Sequence, residues 1–174
     1  MDIGGTAMLI SVSELFKLEN SEKKISESVD LSGVSFSPLP VSFRTPVSVE
    51  GKLKNAGGVI TLEAEAKGEY ETVCDRCGCA IKESIRFDIR ENYVRNALKA
   101  EECDEDTVVL KGQEIDLTKT VGEFAFSAMP TKHLCCESCK GLCLKCGKNL
   151  NEGACGCKDD EWDPRFEALR GLFD

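Results

Sequence analysis

The sequence has a single histidine among its 174 residues and no glycine-rich loop that could cradle a phosphate before a helix. One histidine without a partnered nucleophile argues against a hydrolase of the Ser-His or Cys-His kind. No apolar run approaches the about 20 residues that span a bilayer. The first residues carry Asp2 and an interrupting Gly4-Gly5, where a secretory signal would carry positive charge and an apolar run. We therefore expect a cytoplasmic protein that is not an enzyme.

Positive charge is outnumbered by negative charge. Lysine and arginine number 22 against 31 acidic residues, which gives a formal net charge of −9. As a whole, such a chain repels the phosphates of nucleic acids, so any contact with RNA has to be local. Hydrophobic residues make up 41% and charged residues 30%, a composition that supports a packed core. At about 150 residues per domain, the length predicts one domain or one domain with a small appendage.

Cysteine, in contrast, is abundant, with 11 residues. An odd number of cysteines in a reducing cytoplasm argues against a disulfide framework. Cys103 stands alone in an acidic run over residues 101–106, where it is most simply an incidental thiol. The other cysteines lie among Gly, Lys, Asp and Asn in turn-like sequence rather than at apolar core positions. This distribution predicts metal binding.

The strongest metal motif is a CxxC followed, after eight residues, by Cys-Gly-Cys. Zinc–sulfur bonds of about 2.3 Å need a tightly curled chain, which a two-residue spacing permits. Gly147, directly after the CxxC, tolerates the positive φ that turns backbone amides toward the sulfurs. We predict a structural zinc site here, with a redox dithiol or disulfides as alternatives. Its ligands are Cys143, Cys146, Cys155 and Cys157.

A second CxxC, formed by Cys74 and Cys77, lies between two predicted strands. A thioredoxin-like dithiol normally opens a helix in a βαβ unit, which disfavours redox chemistry. A cytosolic thiol redox protein using this pair is nevertheless the alternative function. Our hypothesis is a second zinc site that fixes the cysteine-rich segment to the sheet. Cys79 and Cys136 are possible substitute ligands. The alternative is that these cysteines are free thiols on a flexible segment. Its ligands are Cys74, Cys77, Cys135 and Cys139, so the chain would hold one or two zinc ions.

Alternation of apolar and charged residues predicts antiparallel strands over 47–53, 60–73 and 81–90, with a turn at 55–58. A helix is expected over 117–128, capped by Asp116 and stopped by Pro130. A helical rhythm also predicts an N-terminal helix near residues 9–18, followed by a polar connection over 20–27. The fold class is therefore α+β: an antiparallel β-meander or partly closed sheet, covered by a helix and followed by a zinc knuckle and a short terminal helix.

These elements divide the chain into four parts. We expect residues 1–7 to be a dispensable leader, with Met8 as an alternative start, and residues 8–130 to form a β-rich core domain. Residues 131–158 are predicted to form the cysteine-rich zinc-binding segment. For residues 159–174 we expect a helix packed on the core, introduced by Asp163-Pro164.

Several motifs follow one another in a specific order. The series comprises Cys74-Asp-Arg-Cys77, Ile115-Asp116-Leu117, Met129-Pro130, Cys139-Lys-Gly-Leu-Cys143-x-x-Cys146-Gly147, Asn149-Leu150-Asn151, Cys155-Gly-Cys157 and Asp163-Pro164-Arg165-Phe166. From Met8 to its end, the chain resembles the YceD family, bacterial and plastid proteins named for large ribosomal RNA subunit accumulation. The resemblance implies a cytosolic, non-enzymatic factor for accumulation or processing of 23S ribosomal RNA and for large-subunit assembly.

Residues 132–148 form the one basic stretch, with four lysines and one glutamate. Candidate contacts to RNA or another partner are Arg76, Lys132, Lys140, Lys145 and Lys148. The alternative is that these lysines only solubilise a loop, while acidic surfaces bind basic ribosomal proteins. The expected partners are thus the large-subunit precursor, its RNA or basic ribosomal proteins. His133 is predicted to be an exposed residue after the helix, with a ligand role beside Cys135 as the alternative.

Overall fold

A computed structural model of the protein describes residues 7–96 and 107–157. Within these ranges the fold is mostly sheet, with one α-helix and one turn of 3-10 helix. The strands are β1 (Leu9–Ser11), β2 (Glu22–Val29), β3 (Ser42–Phe43), β4 (Val47–Ala56), β5 (Val59–Val73), β6 (Ala80–Val94), β7 (Val108–Val109) and β8 (Glu114–Asp116), and the helices are the 3-10 turn Leu15–Lys17 and α1 (Leu117–Ala128). In this part of the chain, no helix has the length and apolar character to cross a membrane.

The main sheet has six strands in the order β2-β4-β5-β6-β7, with β3 pairing to β5. Pairing from β2 through β6 is antiparallel, whereas β7 joins β6 in parallel. The predicted meander is confirmed, and the sheet is open rather than closed. Gly57 and Gly58 form the β4–β5 turn with φ values of 58° and 81°, a conformation that glycine adopts without steric cost.

The predicted N-terminal helix is wrong. Leu9–Ser11 forms β1, which pairs antiparallel with β8, and only Leu15–Lys17 is helical, as a single 3-10 turn. Ile10 and Val12 are buried, while Leu9 is 54% exposed. The apolar pattern of the first residues therefore has the period of a strand, and the helical rhythm came from counting Leu9 as a core residue.

The polar connection expected over residues 20–27 is also wrong, because most of it belongs to β2. This strand pairs with β4 over eight residues at one edge of the sheet. Only Ile25 and Val29 are buried in it. An edge strand with charged side chains resists pairing with other chains, and the same charges make it read as a loop in the sequence.

Helix α1 agrees with its predicted span and covers the apolar face of the sheet. The Asp116 carboxylate accepts the N–H of Lys119 at 3.0 Å, and Pro130 follows the last turn. Leu117, Val121 and Ala125 are buried, at the four-residue spacing of one helix face.

The opposite face of the sheet carries charged side chains, many of which form ion pairs with one another. Lys54 lies 3.2 Å from Glu63, and Lys82 lies 3.1 Å from Glu71, each pair joining neighbouring strands. Lys67 and then Arg86 hold the pKa of the Glu65 carboxyl below its usual range. Exposed pairs of this kind add little stability, but they leave the face without a large field of one sign.

The long β5–β6 hairpin positions the cysteines. Its turn, between Val73 and Ala80, carries the first CxxC, and the segment that follows α1 returns to the same end of the hairpin. A row of aromatic contacts leads there from the core: Phe36 to Phe43 at 5.3 Å, Phe43 to Tyr70 at 5.9 Å and Tyr70 to His133 at 5.7 Å between ring centroids. Buried ring contacts therefore extend from the core to the cysteine-bearing end of the hairpin.

Some predictions fall outside the described residues. They concern residues 1–6 of the expected leader, the acidic run with Cys103 and the terminal helix expected from Asp163.

Candidate metal centre

Eight cysteines lie in two groups of four, and within each group all sulfurs lie within 4.8 Å of one another. The proximal cluster, at the end of the sheet, comprises Cys74, Cys77, Cys135 and Cys139, and the distal cluster comprises Cys143, Cys146, Cys155 and Cys157. In the proximal cluster the Sγ atoms of Cys74 and Cys139 are 3.8 Å apart, and those of Cys77 and Cys135 are 3.7 Å apart. A zinc ion with four sulfurs at about 2.3 Å has sulfur–sulfur edges of about 3.8 Å. Each cluster can therefore hold a metal ion.

The β5–β6 turn shapes the first half of the proximal cluster. The N–H of Cys74 donates to the carbonyl of Cys79, and the N–H of Gly78 donates to the carbonyl of Cys74, both at 2.8 Å. Gly78 has a φ of 69°, which closes the turn. Cys74 and Cys77 are consequently buried with their sulfurs on the same side as the returning segment.

Hydrogen bonds within the protein hold the returning segment to this turn. The backbone N–H groups of Asp75 and His133 are both engaged: Asp75 donates to the His133 carbonyl at 2.9 Å, and His133 donates to the Asp75 carboxylate at 2.7 Å. The Nη1 of Arg76 donates to the carbonyls of Glu137 and Cys139 at 3.2 and 2.8 Å. Arg76 is predicted from sequence to contact a partner. In the structure its guanidinium binds the backbone of the cysteine-rich segment.

His133 is not exposed, and that prediction is wrong. The side chain is 2% exposed, and its Nδ1 lies 3.0 Å from the Glu83 carboxylate, which also accepts the hydroxyl of Tyr70. The ring meets Tyr70 edge-on. Neither four-sulfur group includes His133. The hydrogen bonds with Asp75 hold His133 in a buried position between the segment and the hairpin. This burial depends on tertiary structure, which the local sequence does not reveal.

The distal cluster is a knuckle in an exposed segment. The N–H of Cys143 donates to the carbonyl of Lys148, and the N–H of Gly147 donates to the carbonyl of Cys143, both at 2.8 Å. Gly147 has a φ of 73°, the positive value expected of it. The Nζ of Lys148 donates to the carbonyl of Ala154 at 2.9 Å, which draws the second half of the cluster back toward the first.

Backbone amides favour a thiolate at the first cysteine of each CxxC. Amide groups, chiefly that of Cys135, lower the pKa of Cys74 to about 6, and the amides of Cys146 and Lys145 lower the pKa of Cys143 to about 6. The neighbouring Cys146 thiol raises the pKa of Cys157 to about 12. Sulfurs this close repel one another as anions, whereas a bound dication stabilises all four in the deprotonated form.

The remaining described cysteines lie outside both clusters. Cys79 is near the proximal cluster, with its Sγ 3.3 Å from that of Cys77, and Cys136 is exposed. Of the two adjacent candidates in the sequence, the geometry thus groups Cys135 with the proximal sulfurs and leaves Cys136 out. The four candidate contact lysines, at positions 132, 140, 145 and 148, are all exposed.

Asn151 is a residue that sequence reasoning missed. Its Nδ2 lies 3.3 Å from the Sγ of Cys139. A side chain located between Cys146 and Cys155 of the distal cluster therefore contacts the proximal cluster. Asp75 was missed in the same way, although a carboxylate between two cysteines of a CxxC was a signal for a turn-stabilising residue.

Comparison with known proteins adds a family match. The protein-family model described as "Large ribosomal RNA subunit accumulation protein YceD" matches residues 62–173. A relative from Arabidopsis thaliana, "Large ribosomal RNA subunit accumulation protein YCED homolog 1, chloroplastic", is 37% identical over 60 residues, which are 34% of this chain and 19% of the relative. A relative of the same name from Zea mays is 40% identical over 66 residues, 35% of this chain and 21% of the relative. The matches thus span about a fifth of each relative's length. No solved structure matches the chain.

Adjacent cysteines provide a matched test of the proximal cluster. We expect Cys135→Ser to reduce the bound metal from two ions per chain to one, because the sulfur of Cys135 is one of the four grouped sulfurs. Cys136→Ser should retain both ions. Metal analysis of the purified chains would contradict this grouping if Cys136→Ser lost an ion and Cys135→Ser kept both.

Gly141 provides a test of how closely the segment lies on the turn. It has a φ of 75°, and a Cβ added to it would lie 3.0 Å from the carbonyl oxygen of Arg76. Gly78 has a similar φ of 69°, but a Cβ there would meet nothing within 4 Å. We expect Gly141→Ala to lower the free energy of unfolding by about 2–3 kcal/mol and Gly78→Ala by about 1 kcal/mol. Equal losses of unfolding free energy in denaturant titrations would show that the close approach to Arg76 does not add to the destabilisation of Gly141→Ala.

Proposed function

The chain belongs to the YceD family, and on that premise we propose that it is a non-enzymatic factor needed for accumulation and processing of 23S ribosomal RNA and for assembly of the large ribosomal subunit. The observation that carries the proposal is the family match over residues 62–173, which includes every cysteine of both clusters. The family description names the accumulation of an RNA and no chemical reaction. We place the protein in the cytoplasm, where reducing conditions keep thiols available for metal.

Structural zinc is the second part of the proposal. Thiolates are soft ligands, and four of them in a tetrahedral arrangement favour zinc among the common cellular divalent ions. A shell of four protein ligands has no open position for a reactive water, so the ions would act in folding rather than in catalysis. Two ions would hold residues 131–157 on the β5–β6 hairpin and keep their basic side chains in place.

The distribution of charge along the sequence supports a local contact with RNA. Residues 131–157 carry four lysines and two acidic residues, a net charge of +2 in a chain of −9. The four lysines are exposed and offer counter-charges to phosphates. Acidic residues are concentrated elsewhere in the sequence, as in the run over residues 101–106, and suit basic ribosomal proteins as further partners.

A thiol redox protein is the second candidate, because the pKa of Cys74 is lowered to about 6. A depressed thiol pKa is typical of reactive cysteines but also of metal ligands. Alkylation distinguishes them: a redox thiol reacts fast in the purified chain, whereas a zinc ligand reacts fast only after chelation. The grouping of Cys74 with three other sulfurs favours the zinc ligand.

Two exposed lysines test the RNA contact. If Lys132 and Lys140 contact phosphates, changing both to Gln should make the dependence of log affinity for large-subunit RNA on log salt shallower by about 1.5 to 2 units. The matched control changes Lys24 and Lys111, which are also exposed but lie on the body of the protein. Salt titrations that give the same slope for both double variants would argue against RNA contact through this segment.

The role in ribosome assembly is testable in cells. Depletion of the protein should lower the ratio of large-subunit to small-subunit ribosomal RNA, because large-subunit RNA that is not assembled is degraded. Expression of the wild-type chain or of Cys136→Ser should restore the ratio, and expression of Cys135→Ser should not. An unchanged ratio in depleted cells, measured by quantification of total RNA, would defeat the proposed function.

A further inference from the structure

One side chain contacts both halves of the cysteine-rich segment. Asn151 lies between Cys146 and Cys155 of the distal cluster, yet its Nδ2 is 3.3 Å from the Sγ of Cys139 in the proximal cluster. Its Oδ1 accepts the N–H of Lys140 at 2.8 Å. The amide therefore holds a proximal ligand and the residue that follows it.

The orientation of this amide is determined by its partners. The backbone N–H of Lys140 can only donate, so the Asn151 atom that faces it must be the oxygen, and the NH2 group must face the sulfur. Asn149 reinforces the arrangement, because its Oδ1 accepts both the backbone N–H and the Nδ2 of Asn151, at 3.1 and 2.8 Å. The Nδ2 of Asn149 donates in turn to the Glu152 carboxylate at 3.1 Å, which turns the Asn149 oxygen toward Asn151.

The sulfur that receives this N–H is sheltered from water. Cys139 is 4% exposed, so solvent has little room to replace the Asn151 donor. The amide N–H donates to this sulfur and so stabilises its thiolate form, which is the form that binds a metal. Groups that hydrogen-bond to metal ligands typically change metal affinity by about 10-fold to 100-fold when they are mutated.

The stretch that carries Asn151 lies between two cysteines of the distal cluster. None of residues 147–157 is buried, so apolar packing contributes little to fixing this stretch. The backbone ties it to the rest at a few points, such as the N–H of Leu150 donating to the carbonyl of Gly141 at 2.9 Å. An ion that joins Cys146 to Cys155 would restrain both ends of the stretch that carries Asn151.

We propose that Asn151 is a positioning residue that couples the two clusters. An ion in the distal cluster fixes residues 147–154, and these residues then present the Asn151 amide to Cys139, which strengthens metal binding by the proximal cluster. By thermodynamic linkage, an ion in the proximal cluster strengthens distal binding by the same factor. The inference rests on the proposed binding of zinc by both clusters, and it adds a dependence between them.

Cysteine alkylation during chelation tests the coupling one cluster at a time. The full-length, zinc-loaded chain is exposed to a chelator and a thiol reagent, and mass spectrometry follows Cys135 for the proximal cluster and Cys146 for the distal cluster, both of them exposed. Asn151→Asp keeps the acceptor for Lys140 but replaces the donor to the sulfur. It should accelerate modification of Cys135 about tenfold. Asn20→Asp, the same change at an exposed position before β2 and away from the β5–β6 turn, should leave the rate at Cys135 unchanged.

Loss of the distal cluster completes the test. Cys143→Ser should also accelerate modification of Cys135, and adding Asn151→Asp to it should have little further effect, because the segment is already released. Independent effects that multiply in the double variant would overturn the coupling. Asn151→Ser, which adds no charge, should match Asn151→Asp. Acceleration by Asn151→Asp alone would assign the effect to the new carboxylate and also overturn the proposal.

The same samples separate this inference from the proposed function. A wild-type chain with fewer than two bound ions would refute the zinc component of that function and the coupling with it. A wild-type chain with two ions whose Cys135 reacts at the same rate with and without Cys143→Ser would refute the coupling alone.

Discussion

The approach of four sulfurs within 4.8 Å of one another at the end of the β5–β6 hairpin is the interaction on which the arrangement of the cysteine-rich segment depends. Among residues 131–157, only His133, Cys139 and Gly141 are buried, so the segment has no apolar core of its own. Small units that cannot bury enough apolar surface need a metal or a covalent link to stay folded. The hydrogen bonds from Asp75 and Arg76 bring the segment to the turn, and a bound cation would neutralise the thiolates gathered there.

This arrangement explains why the grouping of the cysteines could be predicted from sequence and several neighbouring features could not. A CxxC is a local signal, because two residues suffice to turn the backbone around an ion, and the capped helix and the Gly57-Gly58 hairpin are equally local. The burial of His133 and the contact of Asn151 with Cys139 join residues that are far apart in the sequence or in separate motifs. They follow only when the segment docks on the hairpin.

The two errors in the core have a common cause. The start of the chain and β2 both form strands at sheet edges, where side chains on one face remain in water. At such edges few apolar residues mark the strand, and a single exposed leucine such as Leu9 is enough to change the apparent period. The three central strands show clearer alternation, as in β6, where Ile85, Phe87 and Ile89 are buried between exposed residues, and their positions agree with the prediction.

The central claim is that each cluster holds one zinc ion through four thiolates and that these ions keep the basic segment on the sheet. Zinc-edge X-ray absorption of the purified chain tests it most directly. We expect about four sulfur neighbours per zinc at about 2.3 Å, with no oxygen or nitrogen bonded to the metal. Oxygen or nitrogen ligands in place of sulfur, or a chain purified without bound metal, would contradict it.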